Sequence, residues 1–242
     1  MCAMRHMYEY GTTSDQLAWI KVSASYHAQY NTHALLQEVV SVKDVLDSPV
    51  IADPLHRLDC CVITDGGGAL IVVNPDVANS LKRPKVKILG AASAVKHQMG
   101  GRVDLTYSAA ALSGPRAFAE AGLKPADVKY VSIYDSFTIT VLIELEDLGF
   151  CEKGRGGVLV SDGNLMSGVG TLPCNTDGGS LCNNHPANRG GITRTIEAVR
   201  QLRGEANPAV QVKNCDVALV QAIGGSLGTR HGSATLILER EG

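Results

Sequence analysis

The chain has 242 residues and a net charge of −2, from 22 Lys and Arg against 24 Asp and Glu, and it is longer than one average domain but shorter than two. So even a balance excludes a polybasic footprint for nucleic acid or a membrane surface. With 45% apolar and only 19% charged residues it is no disordered chain, and no apolar run approaches the roughly 18–20 residues of a membrane span.

In chain order, Thr13-Ser14-Asp15-Gln16 reads as a capping box. Leu17, Ile20, Ala24 and Ala28 then share a face, predicting a helix over about 14–29. From Asn31 to Arg57 no period holds, Pro49 and Pro54 interrupt, and an ordered, apolar excursion is expected. Asp65-Gly66-Gly67-Gly68 then turns into Ala69–Val73, read as a buried strand that Asn74-Pro75 ends. A short helical segment to Leu81 and a strand from Val86 to Gly90 follow. Ser113-Gly114-Pro115 predicts a helix with proline in its first turn, stopped by Gly122. Val128–Ile133 reads as a strand and Thr138–Leu148 as a helix closed by Gly149.

After a Gly/Ser/Asn-rich loop over 154–190, Ile192, Ile196 and Val199 mark the inward face of a helix closed by Gly204. The apolar runs Val217–Ile223 and Ala234–Leu238 finish the chain. Strands that are continuous aliphatic runs, alternating with helices, predict an α/β fold whose sheet is buried on both faces. Seven cysteines at 2, 60, 61, 151, 174, 182 and 215 form no C-x-x-C or zinc-ligand spacing. Reduced thiols in the cytoplasm, and no secretory leader, are expected.

Three segments could carry chemistry. Gly224-Gly225-Ser226-Leu227-Gly228 matches G-x-S-x-G, but that elbow needs a helix directly after the serine, and here Thr229-Arg230-His231-Gly232 leads into a strand. His185 lies in a glycine- and asparagine-rich loop just before a helix, which suits a neutral imidazole that polarises a carbonyl; a hydrogen-bonded loop histidine is the plain alternative. Tyr134 stands where a strand hands over to a helix, the usual place for ligands in α/β sheets. Its phenol could donate to an oxyanion or merely close the core edge.

Together these segments resemble the C-terminal half of a thiolase, in the branch of sterol-carrier-protein-x type and acetyl-CoA acetyltransferase-like proteins. The residues that carry the likeness are His6–Leu17, Asp53-Pro54-Leu55, Asp59-Cys60-Cys61, Asp65–Ala69, Tyr134-Asp135-Ser136-Phe137, Asn175-Thr176-Asp177-Gly178-Gly179 and Asn184-His185-Pro186. Tyr134-Asp135-Ser136-Phe137 lies where the family has Asn-Glu-Ala-Phe or His-Asp-Cys-Phe. The resemblance implies a thiolase-like α/β fold with a buried mixed sheet covered by helices, most of the N-terminal half being absent. Residues 1–82 would be the remainder of that half with a loop-domain segment, and 83–242 the C-terminal domain.

The implied reaction is thiolytic cleavage of a 3-ketoacyl-CoA or its reverse, Claisen condensation, through an acylated cysteine. It needs no cofactor or metal beyond the CoA thioester substrate. By resemblance His185 and Tyr134 hold a thioester oxygen, and Gly224 lends a backbone N–H to a second oxyanion hole. Asn175, Gly178, Gly179 and Asp135 line the substrate site. The family's Cys-x-Gly reads Ala222-Ile223-Gly224 here, so its second cysteine is absent; Cys182 is either a substitute proton carrier or a small buried residue. The nucleophilic cysteine belongs to the N-terminal half, so a truncated reading frame, a split enzyme and a non-catalytic relic all fit.

Tyr134 and Ala222 also suit a retro-aldolase that cuts steroid-like side-chain CoA thioesters, whereas His185-Pro186 suits a thiolase. A scaffold that binds a partner without turnover is the third reading. The resemblance further implies a homodimer and a small zinc-ribbon/OB-fold partner protein.

Overall fold

The computed structural model describes residues 1–96, 103–187, 190–225 and 231–241. Its centre is a four-stranded sheet in the order β3-β6-β5-β4, made of β3 (Lys85–Val95), β4 (Tyr130–Ile133), β5 (Val217–Gly224) and β6 (Gly232–Glu241). β4 and β5 are parallel, while β6 runs antiparallel to both β5 and β3. Alternate residues of one strand serve different cores. Val217 and Leu219 of β5 join Val131, Ile133 and Ile237 on one face, and Ala218 and Val220 join Tyr130 and Leu238 on the other. A strand covered on both faces has no polar side to show, which is why these runs are continuously aliphatic.

The helices α5 (Ala110–Ala121) and α6 (Thr138–Asp147) supply Ala117, Phe118, Leu142 and Leu145 to the first core. The second core is closed by α8 (Gly190–Arg203) through Ala198 and Leu202. Gly122 and Gly149 follow α5 and α6 in left-handed conformation, as their positions suggested. α5 begins earlier than its proline signal implied, because Ser108 Oγ accepts the Ala110 N–H at 3.2 Å and alanines carry the helix forward. Pro115 is therefore inside the helix.

The first part of the chain packs beside this sheet. α1 (Cys2–Tyr10) precedes α2 (Ser14–Ala28), whose capping box forms as read, with Thr13 Oγ1 accepting the Gln16 N–H at 3.3 Å. α2 is buried on almost every side, not on one face alone. The excursion holds α3 (Val42–Asp47) and the small antiparallel pair β1 (Val50–Ala52) and β2 (Leu55–His56). A short α4 (Pro75–Ser80) follows Asn74, and α7 (Gly156–Val160) interrupts the long glycine-rich loop.

The expected strand over Ala69–Val73 does not form. Ile71 is 91% and Val72 77% exposed, and among the described residues no strand lies alongside them. An aliphatic run becomes a strand only when a neighbour takes up its ladder hydrogen bonds and covers its face. Among the described residues no helix is long and apolar enough to cross a membrane.

Inside α2, His27 is fully buried and its Nε2 accepts the Ser167 N–H at 2.9 Å, a bond only a neutral imidazole can accept. Burial lowers its pKa from 6.5 to about 4, outweighing the opposing pull of Asp177. The folded protein thus binds fewer protons than the unfolded chain between these values. The stability this confers is complete above pH 6.5 and is lost as pH falls toward 4. Over that window it amounts to about 3 kcal/mol. His27→Gln, whose side-chain oxygen can accept the same bond without titrating, should flatten the acid limb of stability in urea unfolding at graded pH. An unchanged slope would exclude His27 as its source.

Candidate active site

Tyr134 leaves β4 at its carboxyl end, and its N–H donates to Gln221 O of β5 at 3.0 Å. Both parallel strands therefore open on one rim, where Gly224 ends β5. The end of β4 is fixed from the side by Asn175. Its Oδ1 accepts the Ile133 N–H and its Nδ2 donates to Ile133 O, each at 2.8 Å, so one amide imitates a strand neighbour.

The Tyr134 phenol lies 2.7 Å from His185 Nε2 and 2.8 Å from Ala187 O. Ala187 O can only accept, and the phenol has one proton. The arrangement that satisfies all three groups has Tyr134 donating to Ala187 O while His185 Nε2–H donates to the phenol oxygen. The other tautomer reverses the second bond, so a proton can sit on either partner. The two rings lie 5.2 Å apart. α8 starts directly against the phenol: a Cβ on Gly190 would fall 1.9 Å from Tyr134 Cε2, which reserves that position for glycine.

His185 ends a loop that is built as scaffold. Asp135 is fully buried, and its carboxylate accepts the Ser180 N–H at 2.6 Å and the Leu181 N–H at 3.1 Å. Burial pushes its pKa up, despite the lowering effect of Arg194 and these two bonds. The turn Gly179–Asn183 passes so close that a Cβ on Gly179 would meet Asp135 Oδ2 at 2.0 Å. Gly178 and Gly179 both have positive φ, 95° and 63°. Below them Asp177 receives Arg194 NH1 at 2.9 Å and NH2 at 2.8 Å, and Asn183 Nδ2 at 2.9 Å. Thr176 Oγ1 donates to Glu197 at 2.7 Å.

These contacts define the surroundings of four residues expected at the substrate site. Asn175, Gly178, Gly179 and Asp135 are buried; the amide and carboxylate spend their polar atoms on the backbone, and the glycines admit a tight turn. They shape the loop that carries His185. Cys182 is fully buried, its Sγ accepts from Lys21 Nζ at 3.1 Å, and burial raises its pKa in spite of that lysine. It packs as a core residue beneath the loop. Gly224 is exposed at the rim, with its carbonyl accepting the His231 N–H at 3.0 Å. Ser226 of the G-x-S-x-G match lies outside the described residues.

The inward face of α8 is a further correction. Arg194, Glu197, Ala198, Gln201 and Leu202 are buried, whereas Ile192, Ile196 and Val199 are only half-buried. Ile192 and Ile196 face Gly68, where a Cβ would meet Ile196 Cδ1 at 2.4 Å. Thr64, the Ala187 carbonyl and Gly190 also shape the site, and no motif marks them. A mainly apolar cavity of about 260 Å³, whose lining includes neither Tyr134 nor His185, is bounded by Ala3, Pro54, Leu55, Phe137, Ile143 and Ile223 among others.

The family model for thiolase C-terminal domain-like proteins matches residues 91–240. The chain belongs to that family. It is 39% identical to an acetyl-CoA acetyltransferase of Methanothermobacter thermautotrophicus, over 95% of this chain and 60% of the relative. It is 40% identical to a steroid side-chain-cleaving aldolase of Thermomonospora curvata, over 84% of this chain and 53% of the relative. Among solved structures, the Ltp2-ChsH2(DUF35) aldolase superposes with a TM-score of 0.88 at 38% identity, covering 99% of this chain and 62% of that one. The chain thus spans a little over half the length of these relatives. The family's mixed sheet flanked by helices is the fold observed.

Proposed function

We propose that this chain is the C-terminal half of an enzyme that makes or breaks a carbon–carbon bond next to the carbonyl of an acyl-CoA thioester. The observation that carries this reading is the 2.7 Å contact of Tyr134 and His185 at the shared rim of β4 and β5. Two protic groups converge there, and a bound thioester oxygen would take the place of the Ala187 carbonyl as acceptor of the phenol proton as negative charge develops on it. The Gly224 end of β5 supplies backbone to the same rim. The cavity beside Phe137 and Ile223 suits the apolar part of an acyl group.

In the acyltransferase form of this reading, a thiolate cleaves a 3-ketoacyl-CoA and free CoA takes up the acyl group. The nucleophilic cysteine then comes from the part of the relatives' length that this chain does not span. The names of relatives in both groups, acetyltransferase and aldolase, support acyl-CoA chemistry at this rim. Tyr134 and Ala222, standing where the family has Asn or His and its second cysteine, favour a second form, a retro-aldol lyase acting on a 3-hydroxyacyl-CoA. A homodimer, a cytoplasmic location and a small zinc-ribbon/OB-fold partner belong to the proposal. The two-component name of the aldolase neighbour supports the partner.

Thiolysis consumes CoA and retro-aldol cleavage does not. The test is product formation from 3-ketoacyl-CoA and 3-hydroxyacyl-CoA substrates, with and without free CoA, by the protein assembled with the polypeptide that carries the nucleophile. Cleavage of the 3-ketoacyl-CoA only with added CoA supports the acyltransferase. Cleavage of the 3-hydroxyacyl-CoA without it supports the lyase. Absence of both reactions would leave the scaffold reading in their place.

A further inference from the structure

The segment from Cys60 to Gly66 crosses the candidate site as a strap. Cys60 forms an antiparallel bridge with Phe137, just after Tyr134. The Cys61 N–H donates to Ser136 O at 3.1 Å and the Val62 N–H to Ser180 O at 3.0 Å. Thr64 Oγ1 then accepts the backbone N–H of His185 at 3.1 Å. Gly66 backs onto Pro186, where a Cβ would lie 3.3 Å from the proline Cγ. Two loops distant in sequence, the one after β4 and the one that carries His185, are thus stitched together by seven consecutive residues.

We propose that Thr64 is a positioning residue for His185. Three restraints on His185 come from the described residues. Pro186 restricts its backbone to extended conformations, Tyr134 holds its ring, and Thr64 takes its N–H. Of these, only the Thr64 bond is made by a side chain outside the motif-bearing loops, and it reaches across 121 positions of sequence. Without the hydroxyl, a partly buried N–H loses its acceptor, and the loop turns to recover one. That rotation carries the imidazole away from the phenol. The proposal rests on the reading of His185 and Tyr134 as the acting pair, but its first readout does not.

The experiment compares Thr64→Val, nearly isosteric without the hydroxyl, with Thr64→Ser, which keeps it. In the full chain labelled with 15N-histidine, ring nitrogen signals report tautomer and hydrogen bonding at each histidine. Thr64→Val should shift the His185 ring signals and leave the buried His6 and His27 signals in place, and Thr64→Ser should restore the original pattern. Thr64→Ala replaces the valine variant if His6 and His27 shift with it. In the assembled enzyme kcat should fall about fivefold with KM within about twofold, the size of one net hydrogen bond, and Thr64→Ser should recover it. An unmoved His185 spectrum, or a serine variant behaving like valine, overturns the proposal. A shifted spectrum with unchanged kcat upholds the positioning role and counts instead against His185 as a catalytic group.

Discussion

Tyr134→Phe should lower turnover of the acyl-CoA substrate by about 10²–10³-fold, the usual effect of removing one preorganised oxyanion donor. The phenol bonds both His185 Nε2 and the Ala187 carbonyl, so its loss removes a donor and one of the contacts that hold His185. The ring itself stays, packed against Gly190, and the fold should be unaffected. The effect should fall on kcat and kcat/KM alike, because the bond matters most when charge develops on the substrate oxygen. In the lyase form the phenol also exchanges a proton with substrate, and the pH–rate profile should change shape. A variant within about threefold of the parent would remove Tyr134 from the oxyanion site.

Arg194→Met should destabilise the fold by about 3–5 kcal/mol, because it leaves Asp177 buried without its countercharge. Arg194 is fully buried and gives Asp177 two bonds of 2.9 and 2.8 Å. Burial alone would push the Asp177 carboxyl up, but the guanidinium, together with the Gly179 N–H and the Asn183 amide, outweighs it and holds the group below its ordinary value. A depressed carboxylate adds stability above its unfolded pKa and loses it as pH falls through the folded one. Arg194→Met should abolish that acid-side contribution as well as lowering the plateau. A double variant, Asp177→Leu with Arg194→Met, should recover much of the loss, since an apolar pair needs no desolvation. Urea unfolding of the three variants checks this. A loss of less than about 1 kcal/mol in the single variant would class the pair with exposed ion pairs.

The sheet strands and most helices were legible because both faces of the sheet are covered and the caps are made by local chemistry, as at Thr13 and Gly122. Local signals could not reveal which face of α8 turns inward. Ile192, Ile196 and Val199 make the more obvious stripe, but Arg194, Glu197, Gln201 and Leu202 have the same helical spacing. The polar stripe wins because Thr176 and Asp177 lie beneath it, and that partnership is set by tertiary structure. The motif loops located Tyr134 and His185, whose contact spans 51 positions. They could not show that Asn175 and Asp135 bond the backbone, because a polar residue in a glycine-rich motif reads alike whether it meets a ligand or its own backbone. Thr64 was invisible for the opposite reason: a lone threonine before Asp-Gly carries no pattern.

The run Leu70–Val73 has a practical consequence for anyone handling this chain. Aliphatic and solvent-facing at Ile71 and Val72, it has the composition of an aggregation-prone window, with strong β-propensity, no charge and no proline. Asp65 and Asp76 stand at its flanks as the nearest acidic gatekeepers. Edge-to-edge association of the purified chain should therefore grow with concentration and with salt that screens those charges. A charged residue at position 71 is the simplest way to keep the chain dispersed while its chemistry is studied.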